Sequence, residues 1–261
     1  MTTGLEPLVA AGVSGAVVAA LLTVFGGGGS VLAVPLLLYF VGVKDPHAAI
    51  GASAAGVALN ALTALAGQAR AGRVKWPCAA LFALGGVAGA VAGSSLAKRI
   101  DGDALLLFFA LAMAVVGLAM LRPRPVDPAA DAVRLTPALA PRLVAGGAGV
   151  GLAAGFFGIG GGFLIVPGLM AATGMGLVAA QASSLLSVAA FGGATALNYA
   201  VSGLVDWAVV GAMAVGGAAG TLAGLPIARR LGQRAVLGRR LFAGLILVVA
   251  AYVAIRALGA L

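Results

Sequence analysis

Charged residues are scarce in this sequence. Of its 261 residues, 9% are charged and 62% are hydrophobic, whereas charged residues make up about a quarter of a typical soluble domain. Only seven residues are acidic, and none of them lies inside an apolar run. The composition therefore excludes an ordinary soluble domain and predicts an all-α polytopic membrane protein.

Cysteine and histidine are nearly absent as well. Cys78 and His47 are the only residues of their types, which excludes a disulfide framework, a cysteine-built metal site and a paired-histidine site. No pair of acidic or histidine residues falls at membrane depth, so an intramembrane enzyme would lack its catalytic groups. The sequence predicts no catalytic residue, no metal and no cofactor.

Basic residues outnumber acidic ones by sixteen to seven, which gives a net charge of +9. They cluster in short segments between apolar runs, as the basic residues of cytoplasmic loops do. The excess therefore favours a protein of the lipid bilayer over one that binds nucleic acid.

Long apolar runs occupy most of the chain, at residues 8–43, 46–67, 77–97, 104–121, 142–173, 177–200, 207–228 and 236–257. The first and the fifth exceed the roughly 20 residues of a simple membrane span. Residues 122–141 are polar and hold five of the eleven prolines. We therefore predict a first membrane repeat at 1–121, a proline-rich cytoplasmic linker at 122–141 and a second membrane repeat at 142–261.

The two halves are diverged copies of each other. FGGGGSVLAVP at 25–35 aligns without a gap with FGIGGGFLIVP at 157–167, with seven identities in eleven positions. Downstream, GRVKW at 72–76 matches GLVDW at 203–207. Two glycine triplets follow with a spacing of four, namely Gly85, Gly89 and Gly93, and Gly216, Gly220 and Gly224. Spaced glycines of this kind are typical of tight helix packing in membranes.

The distribution of basic residues predicts the orientation of the halves. Eight simple spans would divide the sixteen basic residues eight to eight between the two sides. If each glycine run folds its long segment into a re-entrant hairpin, each half crosses three times and the division becomes twelve to four. That asymmetry agrees with the cytoplasmic excess of Lys and Arg. It predicts two inverted repeats, each a re-entrant hairpin plus three transmembrane helices, with the linker cytoplasmic and both termini outside.

The glycine runs are the first candidates for a binding site. They comprise Gly26, Gly27, Gly28 and Gly29 in the first half, and Gly158, Gly160, Gly161 and Gly162 in the second. A broken helix in a bilayer needs protein or a watery cavity to satisfy its backbone. A helix that restarts after the break offers unpaired N–H groups and a positive dipole end, which suit a small anion. Ser30 is placed to cap the first restart, and two inverted copies would aim both ends at one site near the midplane.

Polar residues at membrane depth are further candidates for substrate contacts. Ser53 aligns with Ser183 and Ser184, and these hydroxyls either bind an oxyanion or bond back to their own helix. Amides are costly in lipid, so each is expected to face a cavity or a partner; they are Asn60, Gln181 and Asn198.

The doubled motif resembles a known family. Two copies of FG-x-G-G-G/S…VP, each followed by a serine-containing helix and then G-x-V-x-W, resemble the TauE/SafE family of sulfite exporters and related anion permeases over essentially the whole chain. The resemblance implies a bacterial-type inner-membrane permease for sulfite, sulfonates or similar small sulfur-containing anions. Relatives tend to carry Gly-Thr-Ser-Leu in the second helix, whereas the copies here read GASA at 51–54 and ASSL at 182–185.

We therefore expect an alternating-access transporter whose broken-helix ends hold a small sulfur-containing anion, with that anion and the lipid bilayer as its partners. A passive anion channel is the alternative within transport, because no carboxylate at membrane depth is available to couple transport to protons or sodium. A membrane scaffold subunit that carries nothing is the alternative outside transport.

Overall fold

The computed structural model describes residues 4–121, 136–158, 162–232 and 235–258. The helices in these ranges are α1 (Leu5–Phe25), α2 (Ala33–Tyr39), α3 (Pro46–Arg70), α4 (Trp76–Ala97), α5 (Gly102–Leu121), α6 (Ala140–Phe157), α7 (Gly162–Thr173), α8 (Leu177–Val201), α9 (Trp207–Gly232) and α10 (Ala235–Leu258), with a 3₁₀ helix (Gly26–Leu32) between α1 and α2. Eight helical stretches in the described part of the chain are long and apolar enough to cross a membrane. The prediction of an all-α polytopic membrane protein is confirmed.

Side chains and glycines of the loops themselves determine several of the described turns between these helices. Asp45 accepts a backbone N–H at the start of α3 at 3.0 Å, and Asp206 does the same at the start of α9 at 3.0 Å. The turns after α3 and α8 contain Gly72 and Gly203 with φ of 67° and 71°, a conformation that favours glycine. Most of the predicted linker lies outside the described residues, and α6 already begins at Ala140.

The two glycine triplets pack α4 against α6 and α1 against α9. Each triplet glycine meets the backbone of the facing helix: Gly85, Gly89 and Gly93 meet Val144, Ala148 and Leu152, and Gly216, Gly220 and Gly224 meet Gly12, Ala16 and Ala20. The residue numbers rise together in both pairs, so each pair of helices runs parallel. The predicted packing role of the triplets is confirmed.

The first long apolar run doubles back on itself. Asn60 of α3 reaches Gly15 of α1 and Gln68 reaches Thr23, so α1 and α3 run parallel. Two parallel helices in sequence require the intervening residues 26–45 to return across the same thickness. The 3₁₀ helix and α2 make this return.

The second long apolar run, at 142–173, also doubles back on itself. Phe191 of α8 packs on Phe82 of α4, and Asn198 bonds Ser94, so α8 runs parallel to α4 and therefore to α6. The chain must therefore return between α6 and α8, and the described residues of this return are Gly158 and 162–176. Direct packing of α7 on α6 supports this, because a Cβ on Gly168 would meet Val150.

The helices α3 and α8 form the centre of the bundle. Their spans are 78% and 56% buried, more than those of the other six candidate spans in the described ranges. They run antiparallel, because Gly51 faces Tyr199 and Gly192 faces Ala54. Both doubled-back segments are packed around this central pair.

We expect Gly220→Val to destabilise the protein by about 1–3 kcal/mol, because the added side chain must push α9 away from the backbone of α1. Gly211→Val is the matched control, since Gly211 lies on the same helix with open space around it. Unfolding of the two detergent-solubilised variants measures the difference. Equal stability of both variants would contradict the close α1–α9 contact.

Candidate functional site

The two glycine runs meet near the centre of the bundle. A Cβ on Gly27 would come within 2.8 Å of the carbonyl oxygen of Gly162, and a Cβ on Gly162 would come within 2.6 Å of Ser30 Oγ. We call this region the glycine junction and define it as Gly26–Ser30, Gly158, Gly162, Ser53 and Ser184. The predicted site residues Gly160 and Gly161 lie outside the described residues.

The first glycine of each run packs against the central helix of the other half. Gly26 and Gly158 both have φ of 66°. A Cβ on Gly26 would lie 2.5 Å from the carbonyl oxygen of Gln181 in α8, and a Cβ on Gly158 would collide with Ile50 in α3. Gln181 and Ile50 occupy corresponding positions of the two halves. Both the backbone conformation and the close approach therefore demand glycine.

Two serines join the central helices to the glycine runs. Ser184 Oγ accepts the N–H of Gly27 at 2.9 Å and donates to the carbonyl of Gln181 at 2.8 Å. Ser53 Oγ lies 2.9 Å from the carbonyl oxygen of Ile50 and 3.3 Å from that of Gly158. Each hydroxyl thus bonds back to its own helix and also reaches a glycine run of the other half.

Ser30 does not cap a helix, contrary to expectation. Its hydroxyl donates to the carbonyl of Gly27 at 2.9 Å, and α2 begins at Ala33 without a side-chain cap. The reason is that residues Gly26–Leu32 are themselves a 3₁₀ helix, so the chain has no open helix end at Ser30.

Aromatic rings cover both tips of the doubled-back segments. Phe25 stacks on Phe242 of α10 with centroids 5.0 Å apart, and Phe157 lies 6.0 Å from Phe109 of α5. A Cβ on Gly28 would also collide with the ring of Phe242. The glycine backbone is therefore packed under protein side chains.

Three of the predicted polar site residues have their hydrogen-bond partners outside the glycine junction. Ser183 Oγ accepts the N–H of Lys75 at 2.9 Å, and Asn60 Nδ2 lies 3.4 Å from the carbonyl of Gly15. Asn198 Oδ1 accepts from Lys98 Nζ at 2.9 Å, near the end of α8. That these three side chains contact the substrate stays a prediction. Gln181 reaches the glycine junction through its backbone carbonyl.

The chemistry of the glycine junction is that of neutral hydrogen-bonding groups. The side chains that form hydrogen bonds there are the hydroxyls of Ser30, Ser53 and Ser184. In this conformation other protein atoms already lie against the glycines, so a ligand reaches their N–H groups only when those contacts open. Such neutral groups can form hydrogen bonds with a compact oxyanion.

Comparisons with known proteins agree on a transporter family. The sequence matches the family described as "Sulfite exporter TauE/SafE" over residues 11–253. It is 48% and 47% identical over 240 residues to two proteins named "Probable membrane transporter protein", from Xylella fastidiosa strains 9a5c and Temecula1 / ATCC 700964, covering 92% of this chain and 92% of each relative. It is 24% identical over 235 residues to "Probable membrane transporter protein YunE" of Bacillus subtilis (strain 168), covering 82% of this chain and 86% of that relative. No solved structure matches significantly.

Replacing Ser184 by alanine should destabilise the protein by about 1–3 kcal/mol, because the N–H of Gly27 is then buried without a partner. Ser14→Ala is the control: Ser14 is also 0% exposed, but its hydroxyl bonds only the carbonyl of Ala10 in its own helix. Unfolding in detergent compares the two variants. A loss in Ser184→Ala no larger than in Ser14→Ala would refute the bond between the halves.

Proposed function

This chain belongs to the TauE/SafE family of sulfite exporters, a family of membrane transporters, and from that premise we propose that it carries small sulfur-containing oxyanions such as sulfite or organosulfonates. The anion binds at the glycine junction, and transport proceeds by alternating access across the inner (plasma) membrane. The observation that carries this proposal is the meeting of Gly27 and Gly162 from the two halves. Broken helices that meet between two repeats are a recurring design of transporter binding sites.

The chemistry of the anion fits the groups at the junction. Sulfite and sulfonates present several oxygens that accept hydrogen bonds, and the N–H of Gly27 and the hydroxyls of Ser53 and Ser184 are donors that these oxygens can take when the junction opens. Hydrogen bonds to a charged acceptor are stronger than those between neutral groups. A site without lysine or arginine therefore holds the anion and still releases it.

We further propose that the halves form an inverted repeat. Support comes from helix directions: α1 and α3 run parallel, α4, α6 and α8 run parallel, and α3 opposes α8. The corresponding pairs α1 and α6, and α3 and α8, then point in opposite directions. This arrangement agrees with the twelve-to-four division of basic residues, and that division supports a cytoplasmic linker with both termini outside.

The glycine contacts suggest which parts move. The first doubled-back segment packs through α1 on α9, and the second packs through α6 on α4. Each moving body would then combine a hairpin of one half with a crossing helix of the other. Rocking of the two bodies about α3 and α8 would open the glycine junction to one side at a time.

Flux measurements in liposomes test the cargo. We expect saturable transport of sulfite or a sulfonate in preference to chloride, measured against a panel that includes sulfate, thiosulfate and taurine. Gly162→Ala should lower that flux by about tenfold, because the methyl group overlaps the carbonyl of Gly27 and forces the runs apart. Gly149→Ala, which meets open space, should keep the flux of the unaltered protein.

Three other results of the flux experiment would each contradict a part of the proposal. Flux that does not saturate would indicate a passive channel. No flux of any panel anion through folded protein would favour a scaffold subunit. Equal flux in the two glycine variants would remove the glycine junction as the site.

Cysteine labelling tests the orientation. Ala71 and Ser202 follow α3 and α8 at corresponding positions, and both are exposed. In a Cys78→Ala background, Ser202→Cys should react with an impermeant maleimide in intact cells, whereas Ala71→Cys should react only after permeabilisation. Labelling of both from the same side would contradict the inverted repeat, since repeats of equal orientation require that result.

A further inference from the structure

Two buried residues of α8, one serine and one threonine, differ from the other buried serines and threonines in the described chain. A serine or threonine inside a helix usually donates to a carbonyl of the preceding turn. Buried hydroxyls that do so here are those of Ser14, Thr23, Ser53, Ser94 and Ser184. The hydroxyl oxygens of Ser187 and Thr195 have no hydrogen-bond partner, although both residues are 0% exposed.

These two residues share one ridge of α8. At steps of four residues the ridge reads Ser183, Ser187, Phe191, Thr195 and Tyr199, and all five are 0% exposed. Residues four apart lie one turn above each other and about 40° apart around a helix, so this row of five residues turns around α8 by about 160° from Ser183 to Tyr199. The hydroxyl of Tyr199 also lacks a partner, so three unpaired hydroxyls lie along what we call the α8 ridge.

The α8 ridge follows α4 from its beginning to its end. Ser183 accepts the N–H of Lys75 just before α4. Phe191 packs against Phe82 in the middle, with centroids 6.3 Å apart. The ammonium of Lys98, just after α4, lies 5.7 Å from the centroid of the Tyr199 ring. The ridge therefore contacts α4 or the residues beside it at three points, and Tyr199 also packs on Gly51 and His47 of α3.

One end of the ridge adjoins the glycine junction and the other adjoins a cation. Ser184 and Val188, the neighbours of Ser183 and Ser187 in sequence, both contact Gly27. At the other end, Lys98 Nζ donates to Asn198 Oδ1 at 2.9 Å and to Ser202 Oγ at 2.9 Å. These acceptors are neutral, so they do not cancel the charge of the lysine.

A buried hydroxyl without a partner destabilises the fold, and a ligand that forms a hydrogen bond with it removes that cost. Building on the proposed anion transport, we propose that the α8 ridge lines the route of the oxyanion between the glycine junction and the Lys98 end of α8. Ser187 and Thr195 donate hydrogen bonds to the anion as it passes. In the present conformation the Phe82–Phe191 pair closes the route between them.

The test removes each hydroxyl and measures both flux and stability. Thr195→Val keeps the shape of the side chain, and Ser187→Ala removes a single oxygen. Thr23→Val and Ser14→Ala are the matched controls, because these residues are 1% and 0% exposed and their hydroxyls bond their own helix. Flux of the panel anion that the unaltered protein carries is measured in liposomes, and thermal unfolding is measured in detergent.

We expect Thr195→Val and Ser187→Ala to lower the flux by about tenfold, the effect of losing one hydrogen bond to a charged ligand. Their unfolding midpoints should stay the same or rise, because an unpaired polar group has been removed. The two control variants should keep their flux and should gain no stability. A loss of flux without a loss of stability supports the route.

Two results would overturn this inference alone, given an unaltered protein that transports. One is normal flux in both ridge variants. The other is a fall in the unfolding midpoint that accompanies the loss of flux, since it would show that the hydroxyls serve the fold. Absence of transport by the unaltered protein would instead remove the proposed function, and the inferred route with it.

Discussion

A backbone N–H or C=O group within hydrocarbon needs a partner, and this constraint governs how the chain interrupts a helix in the membrane. The first interruption meets it in two ways. Residues Gly26–Leu32 stay bonded internally as a 3₁₀ helix, and the N–H of Gly27 is bonded by Ser184 of the other half at 2.9 Å. The N–H of Gly27 is therefore satisfied only when both halves are assembled, and the arrangement of the glycine junction depends on that contact.

The same dependence recurs in the helix packing. Glycines of α9 lie on the backbone of α1, and glycines of α4 lie on the backbone of α6. Each doubled-back segment thus finds its closest neighbour across the boundary between the sequence repeats. A half of the chain on its own would leave these glycine surfaces without their partners, so we expect neither half to form a stable unit alone.

Backbone constraints were predictable from the sequence, whereas side-chain partners were not. Glycine runs and spaced glycine triplets indicate where the chain bends or approaches another backbone. The sequence therefore predicted the helix breaks and the helix-packing surfaces. The capping role of Ser30 was wrong because the glycine stretch is itself helical. The partners of Asn60 and Asn198 depend on which helices become neighbours, and the unpaired state of Ser187 and Thr195 has no signature in the local sequence.

The absence of charged groups from the hydrogen bonds of the glycine junction has a consequence for mechanism. The single hydrogen of Ser184 is donated to Gln181, and one lone pair already accepts from Gly27. In the proposed carrier, an anion that takes the N–H of Gly27 breaks a hydrogen bond that now joins the two halves. Each hydrogen bond that the anion gains is then one that the closed junction loses, so the anion favours conformations in which the halves have separated. A ligand shifts a conformational equilibrium only by such a difference in affinity between states. In the proposed carrier, exchange of hydrogen bonds at Ser184 and Gly27 would therefore couple binding to opening without a charged residue at the junction.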